Sequence, residues 1–344
     1  LEGVSVKNKV AIINSSSFGK YFPEHIELLS ERCEVERFNL PSNLRGKELA
    51  DILVGFKYVI ASTTPIFDCE FFDNIDGLVL ISRHGLGYDN IDIQEATEKG
   101  VLVTKVSGIT EREAVAEHAI SLCMAVLRKI PQAYNRVLES KWSEREKFFG
   151  IELRGKTVGI IGFGNIGSRV GEIIHFGFNS NVVVYDPYIE PEKLNYINAR
   201  NVQLNELLKI SDVIFICSKL TKENYHLLSF KEFEQMKDGV YIVNTSRGEL
   251  IDQEALVEAL ESGKVAGVGL DVVEGEPITG DHPLLQFENV VITPHIAAYT
   301  FESIKGMGEK VVKDILMAEE RIIPEEVVNT DVIKKLEEEG WKRI

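Results

Sequence analysis

A chain of 344 residues is long for one domain and comfortable for two, each able to bury its own core. Its 44% hydrophobic and 27% charged residues are the balance of an ordinary globular protein. The net charge of -16 repels phosphate backbones and anionic surfaces, so neither nucleic acid nor membrane is expected as a partner. Cys33, Cys69, Cys123 and Cys217 lack CxxC spacing, which speaks against a disulfide framework or a metal site, and no metal is expected. With no run of about 18 apolar residues and no cleavable leader in view, a cytoplasmic protein is expected.

The first hundred residues alternate short apolar runs with amphipathic segments, the pattern of parallel βα units. Strands are predicted over 10–14, 35–38, 58–61, 78–82 and 101–104. After the fourth comes the polar turn Arg83-His84-Gly85-Leu86-Gly87-Tyr88-Asp89-Asn90-Ile91-Asp92. Its glycines can turn backbone amides toward a small anion; the alternative is an ordinary loop with a helix cap at Asp89, and the stretch alone leaves both open. Residues 110–130 predict one long helix, opening on Glu111, Arg112 and Glu113 and apolar nearly all round over 119–127, so that burial on several sides is required. Glu117 and His118 point in different directions on such a helix, which makes them structural residues rather than a shared metal site. The arm that follows Pro131, with Tyr134, Trp142, Phe148 and Phe149, is too apolar for a free linker and predicts a subunit contact.

Thr157-Val158-Gly159-Ile160-Ile161 followed by Gly162-Phe163-Gly164-Asn165-Ile166-Gly167 reads as strand, tight turn and helix in the form GxGxxG. A dinucleotide fold needs the sharp turn, close backbone approach to a pyrophosphate, and tight helix packing that these glycines supply. Asp186 ends the next β-like run, nineteen residues past Gly167, where an acid is expected to hold the adenosine ribose. No Arg follows it in Pro187-Tyr188-Ile189-Glu190, so NAD is expected over NADP. Further strands are predicted over 213–216, 241–244, 265–270 and 290–292, with a helix over 252–262. Arg247, Glu276 and His295 each fall just after one of these strands, and in a parallel sheet such strand ends lie along one edge.

These motifs, from Gly85-Leu86-Gly87-Tyr88-Asp89-Asn90 through the GxGxxG turn to Pro294-His295, resemble those of the D-isomer-specific 2-hydroxyacid dehydrogenases. The resemblance implies a Rossmann dinucleotide-binding domain (108–299) inserted into a flavodoxin-like α/β substrate domain (1–107 and 300–332), with 333–344 as a C-terminal tail. It also implies a homodimer formed through the helix and arm over 110–150. Arg247 then holds the carboxylate of a 2-oxo acid by a bidentate fork, His295 exchanges the proton of the carbonyl oxygen, and Glu276 fixes the tautomer of His295. By the same resemblance Gly162, Gly164, Asn165, Ile166 and Gly167 meet the pyrophosphate, Asp186 the ribose and Ser218 the cofactor cleft. Thr245, Ser246, Asp271, His295 and Ala297 fall near the nicotinamide, while Arg83, His84, Gly85, Leu86 and Gly87 form the substrate loop.

Within the family, residues 128–133 and 152–157 are most similar to phosphoglycerate dehydrogenases. Those enzymes carry an Arg where this chain has Ala61, which turns the expectation toward a reductase of glyoxylate or hydroxypyruvate, with 3-phosphoglycerate as the alternative substrate and Arg83 and His84 as replacement phosphate contacts. The chain ends at Ile344, so a short form lacking a regulatory domain is expected. Some proteins of this fold are NAD-sensing corepressors, but those need a disordered recruiting tail that the composition does not supply.

Overall fold

The computed structural model describes residues 7–343, which divide into two compact units: 7–111 with 300–343, and Arg112–Tyr299. Each is a parallel sheet covered by helices. In the first unit the strands are β1 (Asn8–Ile13), β2 (Cys33–Phe38), β3 (Phe56–Ala61), β4 (Leu80–Arg83) and β5 (Leu102–Thr104), in the flavodoxin-like order β2-β1-β3-β4-β5. They alternate with α1 (Glu24–Arg32), α2 (Gly46–Ile52), α3 (Cys69–Asn74) and α4 (Ile93–Lys99). The strands are apolar on both sides because both faces are buried. Ala11, Ile13, Val59, Ile81 and Val103 enter one core, while Val10, Ile12, Ile60, Leu80 and Leu102 enter the other.

The second unit contains β6 (Thr157–Ile161), β7 (Asn181–Tyr185), β8 (Arg200–Asn201), β9 (Val213–Ile216), β10 (Val240–Asn244), β11 (Val265–Leu270) and β12 (Val290–Ile292). Their order is β12-β11-β10-β9-β6-β7-β8, a Rossmann-type sheet whose crossovers diverge beside β6. Its helices are α5 (Arg112–Leu127), α6 (Ile130–Leu138), α7 (Asn165–Glu172), α8 (Leu204–Ile210), α9 (Phe230–Gln235) and α10 (Gln253–Glu261). One face of the sheet packs under α5 through Ala119, Leu122, Cys123 and Val126, the other under Leu207, Phe233, Leu256 and Leu260.

Three sequence expectations are revised here. The predicted helix over 110–130 stops at Leu127, and Lys129, in the left-handed region at φ 52, starts the separate α6. The apolar residues of α5 are also covered largely within its own unit, since Gly269 carries no side chain and lets Leu122 settle on β11: a Cβ there would lie 3.0 Å from that of Leu122. The exposed apolar groups lie further on, at Tyr134, Val137, Leu138, Trp142 and Phe149. The helix cap that the alternative reading of this loop put at Asp89 belongs to Asp92, whose side chain accepts from the Glu95 amide.

The chain then returns to the first unit as α11 (Phe301–Glu319) and α12 (Val332–Glu338). Val311, Val312 and Ile315 complete the core over β1, β3 and β4, and Val332, Leu336 and Trp341 join it. Residues 333–343 therefore belong to this unit and do not form a separate tail. Asp314, 1% exposed, is held in the same core by Ser82 Oγ at 2.9 Å, Thr104 Oγ1 at 2.7 Å and Lys310 Nζ at 2.5 Å. Burial pushes its carboxyl up from the usual range even so, because the neighbouring donors recover only part of the lost hydration. Such a group ties β4, β5 and α11 together by direction as well as by area. No helix among the described residues is long and apolar enough to cross a membrane.

Candidate active site

The three glycines of the GxGxxG turn do three different things. Gly162 has φ +88, and a Cβ on it would fall 2.7 Å from the backbone of Ser218, so it permits both the turn and the approach of the β9 loop. At Gly167 a Cβ would stand 2.1 Å from the Gly162 carbonyl oxygen, which sets how closely α7 can pack on β6. Gly164 is exposed, with nothing within 4 Å of such an atom, so the space above the turn stays open. Asn165 and Ile166 begin α7, where first-turn amides lack helical acceptors and suit an anion. Ser218 Oγ is buried beside this turn with no hydrogen-bond partner. An open cradle, a helix start and an orphaned hydroxyl fit the dinucleotide that the sequence implies.

Asp186, just past β7, is already oriented: Oδ2 accepts from the Phe163 amide at 2.8 Å and Oδ1 from the Tyr188 amide at 2.9 Å. Asn201 on β8 pairs with its main chain in both directions, accepting at 3.1 Å and donating at 2.8 Å. An acid held this way keeps lone pairs for ribose hydroxyls and offers only repulsion to a 2′-phosphate.

Arg247, Glu276 and His295 follow β10, β11 and β12, three adjacent parallel strands. Asn244, fully buried, bonds the Arg247 carbonyl at 2.8 Å and the Ser246 amide at 2.9 Å, so the Thr245-Ser246 turn presents Arg247 in one register. Gly248 packs against the peptide of Val273 and Glu274, 2.0 Å from where its Cβ would be, which presses the β10 and β11 loops together. Glu276 Oε1 accepts from the Val273 amide at 3.0 Å, and Oε2 lies 2.7 Å from His295 Nδ1. Because an ionised carboxylate only accepts, Nδ1 carries the hydrogen and Nε2 is left for chemistry.

Asp271 and Ala297, expected beside the nicotinamide, also have an internal use. Asp271 is 1% exposed, and its carboxylate accepts from Thr293 Oγ1 at 2.6 Å, the Ile296 amide at 2.9 Å and the Ala297 amide at 2.8 Å. Burial alone would raise this carboxyl; hydrogen bonds from His118, Thr293, Ile296 and Ala297 outweigh it and hold the group below its ordinary value. The carboxylate thus anchors the segment that carries His295. His118 stands in the same cluster, its Nε2 2.9 Å from Thr293 Oγ1. Sequence reasoning set it aside as structural, and no spacing signal links positions 118 and 293; only the packing of α5 beside β12 joins them.

In the first unit, the loop after β4 departs from its expected role in part. Arg83 is 4% exposed and directs its guanidinium to the carbonyl oxygens of Ala61 and His84, at 3.1 and 2.8 Å. His84 is also buried, 3.3 Å from Ser15 Oγ through Nδ1, with Nε2 unpartnered. Burial, seconded by the Arg83 charge, pushes its pKa down to about 3, so the ring is neutral at physiological pH. The Leu86 amide, expected to meet a substrate carboxylate, donates instead to Glu111 Oε1 at 3.0 Å, while Gly85 turns the chain at φ +151.

Comparison with known proteins places these motifs among relatives. Residues 120–297 match the family described as D-isomer specific 2-hydroxyacid dehydrogenase, NAD binding domain. The chain is 36% identical to a glyoxylate reductase of Thermococcus litoralis over 321 residues, 91% of this chain and 96% of that protein. It is 45% identical to a D-3-phosphoglycerate dehydrogenase of Archaeoglobus fulgidus over 258 residues, 75% of this chain but only 48% of that longer relative. Among solved structures, D-lactate dehydrogenase from Aquifex aeolicus complexed with NAD and lactic acid aligns at TM-score 0.79 and 28% identity, over 95% of this chain and 98% of that one. A glyoxylate reductase from Paecilomyes thermophila also aligns at TM-score 0.79, with 31% identity over 91% of this chain and 95% of that one.

The held carboxylate of Asp186 predicts a marked preference for NADH over NADPH in kcat/KM. Equal efficiency with the two cofactors contradicts that assignment.

Proposed function

Since the chain belongs to the D-isomer-specific 2-hydroxyacid dehydrogenases, a family of NAD-dependent oxidoreductases, we propose that it reduces a small, unphosphorylated 2-oxo acid of the glyoxylate or hydroxypyruvate type to the D-2-hydroxy acid. The observation that carries the choice of substrate is the state of the three positions from which a phosphate would be bound. Ala61 has no charge, Arg83 is 4% exposed with Nη1 donating to two carbonyl oxygens, and His84 is neutral. A dianionic phosphate needs at least one exposed cation there to offset its desolvation. The glyoxylate reductase relative is aligned along nearly its full length, which supports the same choice. Oxidation of 3-phosphoglycerate is the second reading, favoured by the higher identity of the Archaeoglobus relative over its aligned part.

The geometry of the second unit supports the following roles. Arg247 is always charged, and its guanidinium, anchored by Nη1 on the Ser246 carbonyl at 2.6 Å, is the group that takes the substrate carboxylate and orients the adjacent carbonyl. Bound NADH supplies the hydride. His295 Nε2–H gives its proton to the carbonyl oxygen as negative charge develops there. Glu276, 2.7 Å from Nδ1, keeps that tautomer and stabilises the ring while it is charged. With 36% of its side chain exposed, His295 regains a proton from solvent for the next turnover.

The chain is further proposed to be a homodimer. Tyr134, Val137, Leu138, Trp142 and Phe149 are each about half exposed or more, all on α6 and the segment after it, and such a cluster costs free energy in water until covered. A second copy supplies a matching surface through two-fold symmetry. Four free cysteines suit a reducing compartment, and the cytoplasm is the proposed location.

His295→Gln is expected to lower kcat by roughly 10²- to 10⁴-fold with cofactor affinity nearly intact, the span of a lost general acid. Arg247→Ala should raise the substrate KM as well as lower kcat. Near-normal turnover in His295→Gln would falsify its role. In kcat/KM with NADH, glyoxylate or hydroxypyruvate should exceed 3-phosphohydroxypyruvate, and a clear lead for the phosphorylated acid reverses the substrate reading. Light scattering at micromolar concentration should return two chain masses; a single mass rejects the dimer.

A further inference from the structure

The proton count around Thr293 decides the state of a residue well away from the reacting atoms. Thr293 Oγ1 lies 2.6 Å from Asp271 Oδ1 and 2.9 Å from His118 Nε2. Asp271 as a carboxylate can only accept, so the single hydroxyl hydrogen goes to it. The hydroxyl oxygen must then accept from His118, whose Nε2 therefore carries a hydrogen. That nitrogen also stands 3.4 Å from Asp271 Oδ1, so its positive end faces the same carboxylate.

Asp271 in turn holds the main chain around His295 from both sides. Its two oxygens take the amides of Ile296 and Ala297 at 2.9 and 2.8 Å, and its own carbonyl takes the His295 amide at 2.9 Å. His295 sits at φ 55, a left-handed conformation that a residue with a side chain rarely adopts unless its neighbours impose it. The imposed turn sends the imidazole to Glu276 at 2.7 Å. A small rotation of the Asp271 carboxylate releases two amides at once and lets the ring leave that line.

We infer that His118 and Thr293 form a positioning relay that holds the Asp271 carboxylate in one orientation and, through it, sets the angle at which His295 meets substrate. The inference rests on the reading of His295 as proton donor. The bonds of His118 go to Thr293 and Asp271 and reach His295 only through them, so it is a positioning residue, supplied by α5 to the end of β12. Gly269 makes this possible, since it seats Leu122, one helical turn beyond His118, directly on β11.

The test is steady-state kinetics of the full chain with NADH and glyoxylate, or the fastest 2-oxo acid of the panel above. Thr293→Val and His118→Leu remove the two donors and are expected to lower kcat about 10- to 100-fold, the range for a misaligned reacting group, while KM for NADH stays within about twofold. Thr293→Ser keeps the hydroxyl and His118→Gln keeps a donor at the Nε2 position; both should retain kcat within about threefold of the parent. If the apolar variants do not fold by circular dichroism, Thr293→Ala and His118→Asn give the same readout. The relay is overturned by parent-like kcat in the donor-deleting variants, or by a loss that Thr293→Ser and His118→Gln share equally. His295→Gln, measured alongside, separates the layers. Retained turnover in that variant removes the proton-donor reading itself, whereas a loss there with unaffected His118→Leu removes only the relay.

Discussion

The parallel ladder β10-β11-β12 is the constraint on which the site depends. Parallel strands cannot be joined by hairpins, so each is followed by a crossover, and every segment that leaves a strand does so at the same edge. Arg247, Glu276 and His295 are separated in sequence by a helix and by long loops, yet they leave neighbouring strands. Close approach then does the rest. Gly248 brings two of these loops into backbone contact, and Asp271, just past β11, ties the loop that leaves β12 to the end of the neighbouring strand. A larger residue at position 248, or an apolar one at 271, leaves the strands in place and scatters the side chains.

Charge is managed locally against an unfavourable mean. The net charge of -16 repels an anionic substrate at long range, and screening confines that repulsion to about 8 Å at physiological salt. Inside that distance the charge of Arg247 and the first-turn amides of α7 outweigh the mean field. Asp186 and Glu276 add negative charge at the same sheet edge, each with its oxygens committed to named donors. Those bonds fix where each carboxylate points: Glu276 toward His295, and Asp186 with lone pairs left over beyond the two amides.

The first unit shows that residue type alone does not assign a role. Arg83 and His84 have the chemistry to bind a phosphate, and both lie in the loop where the family resemblance puts substrate. Burial removes that chemistry from each by a different route. The Arg83 charge is kept but buried, with Nη1 donating to two carbonyl oxygens, and the His84 charge is lost, because a cation without a partner is costly in a dry site. In the proposed reading, specificity for a small acid comes from what these two side chains do not offer.

Much of this was legible in the sequence because it depends on local pattern. Apolar runs of strand length, glycines at GxGxxG spacing and the acid at Asp186 report backbone needs within a few residues, and they gave both α/β units and the dinucleotide turn. Arg247, Glu276 and His295 were legible as strand-end residues, since a parallel sheet converts sequence order into a common edge. What the sequence left open depends on partners distant in the chain. The break at Lys129, the internal use of Asp271, the engagement of the Leu86 amide by Glu111 and the part played by His118 all follow from which side chain lies opposite. Hydrogen bonds are short-ranged and directional, so only tertiary packing, with Gly269 admitting α5 onto β11, could decide that His118 meets Thr293.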